Sequence, residues 1–297
     1  MNNFKKAIYR FTANAAAIAL SAAPAAAASE AVGPQYDSTH VYVAPSSLDA
    51  FVHAFVATFG GKPSAPLTVN VLPVPAKTKF QYVWTSAGSL SVFAFLTPIP
   101  YPFGQERTGW LVNDMDAALT AARHAGAEVI VDKFKDAIGY DAVIEWPGGL
   151  KNQLYWHFTA PSYPPLETIP DNRVYVSGDS VDTFVRDFLK FSGGTVVADD
   201  GKADAGEIGK PGEWYRRIRI ESGFGRMQVM VTDGHLPYPF GREITGYAVT
   251  DLDATLAKAK AAGAHLLTPR FEAVDRSTIM LEFPGGYIAE VHALKAK

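Results

Sequence analysis

The sequence contains no cysteine. This absence excludes thiol nucleophiles, disulfide bonds and metal sites built on thiolates. The sequence also lacks a glycine-rich phosphate-binding loop, a G-x-S-x-G turn and an H-E-x-x-H helix. The common motifs of nucleotide-binding proteins, serine hydrolases and zinc proteases are therefore not present.

Runs of basic residues are absent as well, and the formal net charge is −3 at pH 7. Residues 1–28 carry three basic side chains and no acidic one, so removing them moves the net charge from −3 to −6. A mildly acidic protein of this kind is not expected to bind nucleic acid or an anionic membrane. With 48% hydrophobic and 19% charged residues, the composition is that of a packed globular protein.

The N-terminus has the layout of a secretory signal peptide. Residues 1–28 begin with Lys5, Lys6 and Arg10, continue with an alanine-rich apolar stretch and end in small residues near Ala28. A weak membrane anchor is the alternative, but the apolar stretch is well short of the ~20 residues that a spanning helix needs. We therefore expect an exported protein, periplasmic or secreted, without membrane contact once the signal peptide is removed.

Most of the remaining chain is duplicated. The pentapeptide PYPFG occurs at residues 100–104 and again at 237–241, and at this offset of 137 residues 17 of the 28 positions from Pro100 to Ala127 are identical. The same offset aligns EWPGG at 145–149 with EFPGG at 282–286, and an offset of 133 relates the segments 37–51 and 171–184. A repeat this long predicts two domains rather than a solenoid.

Each half in turn consists of two shorter units. Alternating residues at 39–45 predict a strand, and apolar residues at helical spacing over 47–61, which end on glycines, predict a helix. Three strand-like segments follow, and the same order restarts after PYPFG with RTGWLV and MDAALTAARHAG. The sequence thus predicts β-α-β-β-β four times. Residues 161–170 (PSYPPLETIP) are predicted to be a linker, because their prolines disfavour both helix and sheet.

This arrangement resembles the vicinal oxygen chelate (VOC) superfamily, which contains glyoxalase I, bleomycin-resistance proteins and extradiol dioxygenases such as dihydroxybiphenyl dioxygenase. The matching features are H-V-x-V at His40, V-x-D at Val112–Asp114 and Val249–Asp251, and the P-G-G turn before each final strand. The resemblance implies an α+β fold in which four βαβββ modules pair into two tandem domains, 37–160 and 171–295, each curled into a half-open cup that holds a ligand. The fold carries binding proteins and enzymes alike, so it implies no single activity.

The resemblance also indicates where metal-dependent members place their ligands, on the first and last strands of each module. The first-strand positions here are His40, Arg107, Arg173 and Ile244, and the last-strand positions of the two halves are Gln153 and Glu290. A guanidinium cannot bind a metal cation, so neither half has the complete ligand pattern. Because side chains alternate along a strand, the first cup is predicted to present six ligand-binding candidates: His40, Tyr42, Arg107, Gln153, Tyr155 and His157.

Three interpretations of the cups stay open. In the first, the first cup binds a small, largely apolar molecule without a tightly bound metal, Arg107 contacts an anionic or carbonyl group, and His40 or His157 hydrogen-bonds to it. In the second, His40, Gln153 and His157 bind a divalent metal (zinc, iron, nickel or manganese) of a lyase or dioxygenase. In the third, both cups are filled by side chains and the protein is a structural or partner-binding module.

The second cup is predicted to contain Arg173, Tyr175, Glu290 and His292. Arg173 and Glu290 on facing strands are expected to form a buried ion pair that closes this cup, with binding of a polar ligand as the alternative.

PYPFG lies where one module ends and the next begins. It is predicted to be a rigid crossover loop, with an aromatic lid over the ligand as the alternative. Because all four modules share one chain, we expect a monomer with internally paired modules.

Overall fold

Eighteen strands and four α-helices occur in the part of the chain that the computed structural model describes, residues 30–71, 76–98 and 106–295. Of Glu106 and Arg107 only the backbone is described. The predicted signal peptide at 1–28 and the first PYPFG copy at 100–104 therefore lie outside the described residues. Among the described helices, none is both long and apolar enough to cross a membrane.

The first half contains two modules. The first module consists of β1 (Ser38–Tyr42), α1 (Leu48–Phe59), β2 (Lys62–Pro63), β3 (Leu67–Val71), β4 (Ala76–Thr85) and β5 (Gly88–Phe95). The second module consists of β6 (Glu106–Leu111), α2 (Met115–Ala125), β7 (Glu128–Lys135), β8 (Gly139–Glu145) and β9 (Lys151–His157).

The second half repeats this order after residues 161–170, which form neither helix nor strand. Its first module consists of β10 (Asp171–Val176), α3 (Val181–Ser192), β11 (Thr195–Asp204), a 3-10 helix (Ala205–Ile208), β12 (Trp214–Ser222) and β13 (Gly225–Val231). Its second module consists of β14 (Ile244–Ala248), α4 (Leu252–Ala261), β15 (His265–Leu266), β16 (Phe271–Glu272), β17 (Arg276–Glu282) and β18 (Ile288–Leu294).

The four predicted βαβββ modules are thus present, with one difference. The strand after the helix is broken into two short strands in the first and fourth modules, β2 with β3 and β15 with β16. Pro66 lies within the first of these breaks and Pro269 within the second. Proline has no N–H to donate to a strand ladder, so the pairing is interrupted there.

The repeated V-x-D segments begin helices, as predicted. The Asp114 carboxylate accepts a hydrogen bond from Ala117 N at 2.8 Å, and Asp251 accepts one from Ala254 N at 2.9 Å. An N-cap carboxylate satisfies an amide that the helix leaves without a partner. The helix α2 then ends at Gly126, whose φ of 106° is a left-handed conformation that glycine adopts readily.

Each half forms one nine-stranded sheet whose centre is made by the first strands of its two modules. In the first sheet β1 pairs antiparallel with β6, and each of them pairs in parallel with the last strand of its own module, β5 or β9. The second sheet has the same arrangement around β10 and β14. This register brings the first and last strands of both modules side by side, so the positions that the resemblance singled out lie on neighbouring strands.

The helices pack between the halves rather than only within them. Helix α1 contacts α4, and α2 contacts α3. Trp110 of the first half lies 4.8 Å from Phe224 of the second between ring centroids, and Phe59 lies 5.0 Å from Tyr247. The two large hydrophobic clusters each contain residues of both halves, so the apolar core is shared.

Candidate functional site

A cavity of about 250 Å³ lies on the face of the first sheet that the helices do not cover. We call it the first cup. Five of the six candidates named from the sequence line it: His40, Tyr42, Gln153, Tyr155 and His157. The backbone of Arg107 lies opposite His40 in the β1–β6 pairing. The side chain of Arg107 is outside the described part of the structure, so its role stays a prediction.

Aromatic rings form one wall of the first cup. Tyr42, Phe93 and Phe95 are stacked, with centroid distances of 5.6 to 6.4 Å and interplanar angles of 20 to 25°. Phe80 and Tyr82 extend this wall on the neighbouring strand β4, with an edge-on contact at 4.6 Å. Flat apolar faces of this kind favour a ligand with a planar or hydrophobic part.

His40 lies on the floor of the first cup and is 5% exposed. Its ring contacts Phe93 edge-on at 5.5 Å. A Cβ built on Gly109 would come within 2.6 Å of His40 Cε1, so only glycine at position 109 leaves room for the imidazole. The close approach of β6 therefore positions this ring beneath the cavity.

A hydrogen bond between two neighbouring strands fixes the side-chain amide of Gln153 at the floor of the first cup. Gln153 Nε2 on β9 donates to Asp141 Oδ1 on β8 at 2.8 Å. Beside it, the Tyr155 hydroxyl donates to the backbone oxygen of Tyr36. Burial raises the pKa of Tyr155 well above its ordinary value, so its hydroxyl stays protonated.

His157 stands nearer the mouth of the first cup. Burial lowers the pKa of His157, and the nearby charge of Asp136 opposes this effect only in part. A lowered pKa leaves the imidazole neutral at pH 7, with one nitrogen able to donate and one to accept. The first cup can therefore offer a ligand neutral hydrogen-bonding groups next to its aromatic wall.

The sequence alone did not single out Asp136, Asp141, Tyr82 or Tyr163, which also line the cavity. Asp141 lies directly opposite Tyr155 in the β8–β9 pairing, so strand alternation applied to β8 would have placed it. Tyr163 belongs to the linker 161–170, where no periodicity predicts a direction. Burial raises the pKa of Tyr82, and the charges of Asp136 and Asp141 raise it further.

The equivalent face of the second sheet, which we call the second cup, is packed with charged side chains. Arg173 and Glu290 are 1% and 0% exposed, and the ion pair predicted between them is present, with 3.8 Å between Nη1 and Oε1. Arg173 also contacts Glu207 at 3.2 Å, and Arg217 contacts the same carboxylate at 2.6 Å. These contacts place the positive and negative groups next to each other, which is the condition for burying them.

The network continues on the other side of Glu290. Thr278 donates to Glu290, and His292 Nδ1 lies 2.8 Å from its second oxygen. Burial opposes ionisation of Glu290, yet His292, Arg173 and these hydrogen bonds lower its pKa to about 2. Tyr175, the fourth candidate of this cup, is largely buried and packs against the cluster that contains Met230.

Glu207 reaches the second cup from the 3-10 helix Ala205–Ile208, which the sequence did not predict. The second copy of PYPFG packs over this helix. A Cβ built on Gly209 would lie 2.6 Å from Pro237 Cγ and 2.7 Å from the Phe240 ring. Tyr238 of the same loop is 60% exposed. This copy is thus a packed crossover loop that covers a filled cup.

The metal hypothesis of the first cup, with His40, Gln153 and His157 as ligands, stays a prediction. The His40 and His157 rings both neighbour Tyr155, at 6.5 and 5.3 Å between centroids, and the Gln153 amide nitrogen faces Asp141. Among the residues with described side chains, no group of three or more His, Asp or Glu forms a candidate metal site. A divalent metal needs such a convergent set of donors.

No protein-family model matches the sequence, and no curated protein matches it either. Solved structures match in fold. A variant of 4-hydroxymandelate synthase from Streptomyces coelicolor superposes with a TM-score of 0.58 at 13% identity, over 88% of this chain and 92% of that one. The Mn(II)-bound glyoxalase from Novosphingobium aromaticivorans gives 0.52 at 15% identity, over 89% and 83%.

A third similar structure is 2,2',3-trihydroxybiphenyl 1,2-dioxygenase from Sphingomonas wittichii strain RW1. It superposes with a TM-score of 0.54 at 12% identity, over 91% of this chain and 93% of that one. Identities this low establish a shared fold and no shared chemistry. The protein therefore has the α+β fold of the vicinal oxygen chelate superfamily, with four βαβββ modules paired into two tandem glyoxalase-like domains.

Proposed function

We propose that this protein binds a small, largely apolar molecule in the first cup, without a tightly bound metal. The observation that supports this function is the contrast between the two cups. Equivalent strands enclose about 250 Å³ with an aromatic wall in the first half, and a buried ionic network in the second. A cavity with an apolar wall and few polar groups is the usual form of a small-molecule site.

The polar groups of the first cup would orient the ligand. His40, whose ring contacts Phe93 of the aromatic wall, or His157 is proposed to hydrogen-bond to the ligand, and Arg107 is proposed to contact an anionic or carbonyl group. The third interpretation, a module with both cups filled, accounts for the second cup only.

We further propose that the chain is exported through the signal peptide at residues 1–28. Intact mass of the protein recovered outside the cytoplasm would test this step.

The binding proposal is tested with a panel of small aromatic compounds, for example phenol, benzoate and 1-naphthol, measured by calorimetric titration. Tyr42→Ala removes a stacked ring of the first cup, and Tyr175→Ala makes the same change at the equivalent position of the second. We expect Tyr42→Ala to weaken binding at least tenfold and Tyr175→Ala to leave it unchanged. Equal effects of both variants, or no effect of either, would contradict the assignment to the first cup.

The same preparation tests the metal-dependent lyase or dioxygenase alternative. Elemental mass spectrometry on protein purified without chelators or a His-tag is expected to show only traces of zinc, iron, nickel and manganese. About one metal ion per chain that is lost in the His40→Ala/His157→Ala double variant would overturn the metal-free proposal.

A further inference from the structure

A second, smaller cavity lies between the two halves, away from both cups. It measures about 40 Å³ and is lined by residues of both halves, among them Asp37, Thr39, Thr108, Asn172 and Thr245. We call it the seam cavity. Its volume is too small for an organic ligand, but it has room for an ion and one or two water molecules.

The duplication explains why polar side chains meet here. Thr39 lies opposite Thr108 in the first sheet, and Asn172 lies opposite Thr245 in the second. By the internal alignment Thr39 is equivalent to Asn172, and Thr108 to Thr245. The Thr39 and Thr245 hydroxyls are 2.9 Å apart, so the central strand pairs of the two halves touch at this point.

Two of these side chains have inaccessible polar atoms that lack a well-formed hydrogen bond within the described part of the chain. Asn172 is 9% exposed, and neither its amide oxygen nor its amide nitrogen has a hydrogen-bond partner there. Both carboxylate oxygens of Asp37 are inaccessible and receive no well-formed hydrogen bond, although the backbone amide of Leu111 lies near enough to lower the pKa of this carboxyl. Buried polar groups of this kind are costly to the fold unless something satisfies them.

Asp37 faces the other half. Its Oδ2 atom lies 3.9 Å from the position that a Cβ on Gly225 would take. Burial raises the pKa of Asp37 well above its ordinary value, while the backbone amide of Leu111 opposes this effect. A positive charge in the cavity would remove the cost of keeping this carboxylate ionised.

The polar groups that line the seam cavity are of the kind that binds a hard cation. Its polar lining consists of carboxylate, amide and hydroxyl groups and, among the described residues, contains no histidine. Asp37 is the only carboxylate that the described residues bring to this lining, and Arg226 at its edge brings a positive charge that pairs with Glu221 at 3.5 Å. One negative charge balances a monovalent ion and not a divalent one.

We propose that the seam cavity binds Na⁺ or K⁺, coordinated by Asp37 and the Asn172 carbonyl oxygen, and that this ion links the two halves. The proposal is independent of any ligand in the first cup. An ion that binds only the folded chain raises its stability in proportion to the logarithm of the ion concentration over its Kd. At a hundredfold excess over Kd the melting temperature would rise by roughly 5 °C.

The test is a set of thermal melts on the purified chain dialysed into Tris buffer free of alkali ions. NaCl, KCl, CaCl₂ and MgCl₂ are titrated separately, and tetramethylammonium chloride at equal ionic strength is the control. We expect a saturable rise with NaCl or KCl that Asp37→Asn abolishes. Asp49→Asn, the same change at an exposed position of α1, should keep the full rise.

The cation-induced rise is the quantity compared, so a change in baseline stability of a variant does not affect the result. Asn172→Leu is the second variant, in case Asp37→Asn does not fold. No rise beyond the tetramethylammonium control, or an undiminished rise in the Asp37 and Asn172 variants, would overturn the site. A saturable response to Ca²⁺ or Mg²⁺ alone would overturn the monovalent assignment.

Discussion

In both cups a hydrogen bond joins the last two strands of the half at equivalent positions, but donor and acceptor are exchanged. In the first cup the donor is Gln153 on β9 and the carboxylate is Asp141 on β8. In the second cup the donor is Thr278 on β17 and the carboxylate is Glu290 on β18. A carboxylate on the last strand attracts Arg173, whereas an amide in that place leaves the equivalent His40 beside an open cavity. At these equivalent positions the first cup has His40 and Gln153 beside a cavity, and the second has Arg173 and Glu290 in an ion pair.

The Glu290→Gln variant tests the buried network of the second cup. Removing one charge leaves the guanidinium of Arg173 incompletely paired, and we expect the free energy of unfolding to fall by about 3 kcal/mol. The pH dependence should change as well. The pKa of Glu290 is about 2 in the folded chain, against an ordinary value of 4.5. The stability that the ionised Glu290 carboxylate gives to the fold is therefore present above pH 4.5 and is lost as the pH falls towards 2.

Urea unfolding followed between pH 7 and pH 2 measures both effects. The loss of stability on acidification should be less steep in Glu290→Gln than in the wild type. Glu272→Gln, which changes an exposed glutamate paired with Lys295, serves as the control and should leave the free energy of unfolding nearly unchanged. A cost for Glu290→Gln as small as that of the control would show that the network contributes nothing to stability.

The residues of the sites were predictable where the duplication fixes strand register. The resemblance assigned the first and last strands of the modules to one cup, and alternation along those strands then predicted that His40, Gln153, Tyr155 and His157 share it. The same reasoning found the Arg173–Glu290 pair. It could not find Glu207, since a residue on a 3-10 helix has no strand alternation from which to place its side chain.

At the scale of elements, the second PYPFG loop acts as a cover for the second cup. Phe240 packs between two clusters of buried residues that include Met230 and Met280. The loop thus connects the 3-10 helix Ala205–Ile208 with the last module. The two aromatic residues of the loop differ in environment, because Phe240 faces inward and Tyr238 is exposed.

The Phe240→Ala variant measures what this cover contributes. Loss of the half-buried ring should lower the free energy of unfolding by about 2 kcal/mol, since the cavity left behind cannot close completely. Tyr238→Ala in the same loop should change it by less than about 0.5 kcal/mol. Chemical denaturation measures both values. Similar costs for the two variants would mean that the loop does not pack as described.

The order of helices and strands was predicted more fully than the breaks within individual strands. Capping aspartates, terminal glycines and period-two strands gave the order of each module from local physics alone. The broken strands of the first and fourth modules were missed, although Pro66 and Pro269 mark them. A strand of alternating residues remains plausible around a single proline until its pairing partner is known.

At the scale of the whole molecule, the halves share their hydrophobic core. Phe188 of α3 lies 5.6 Å from Trp110 and 5.8 Å from Trp146 of the first half between ring centroids. The repeat predicted two domains, but periodicity shows only that a helix face is apolar and not which neighbour covers it. Pairing of α1 with α4 and of α2 with α3 therefore had to come from the structure.

A shared core predicts that the two halves unfold together. Scanning calorimetry of the chain should give one transition whose calorimetric and van't Hoff enthalpies agree. Phe188→Ala, which opens a cavity at a contact between the halves, should lower the midpoint of that single transition by roughly 10 °C without splitting it. Residues 30–160 and 161–295 produced separately should each fail to fold, because each would expose the apolar face that the other covers. Two resolved transitions, or a half that folds alone as a monomer, would show instead that each half has a sufficient core of its own.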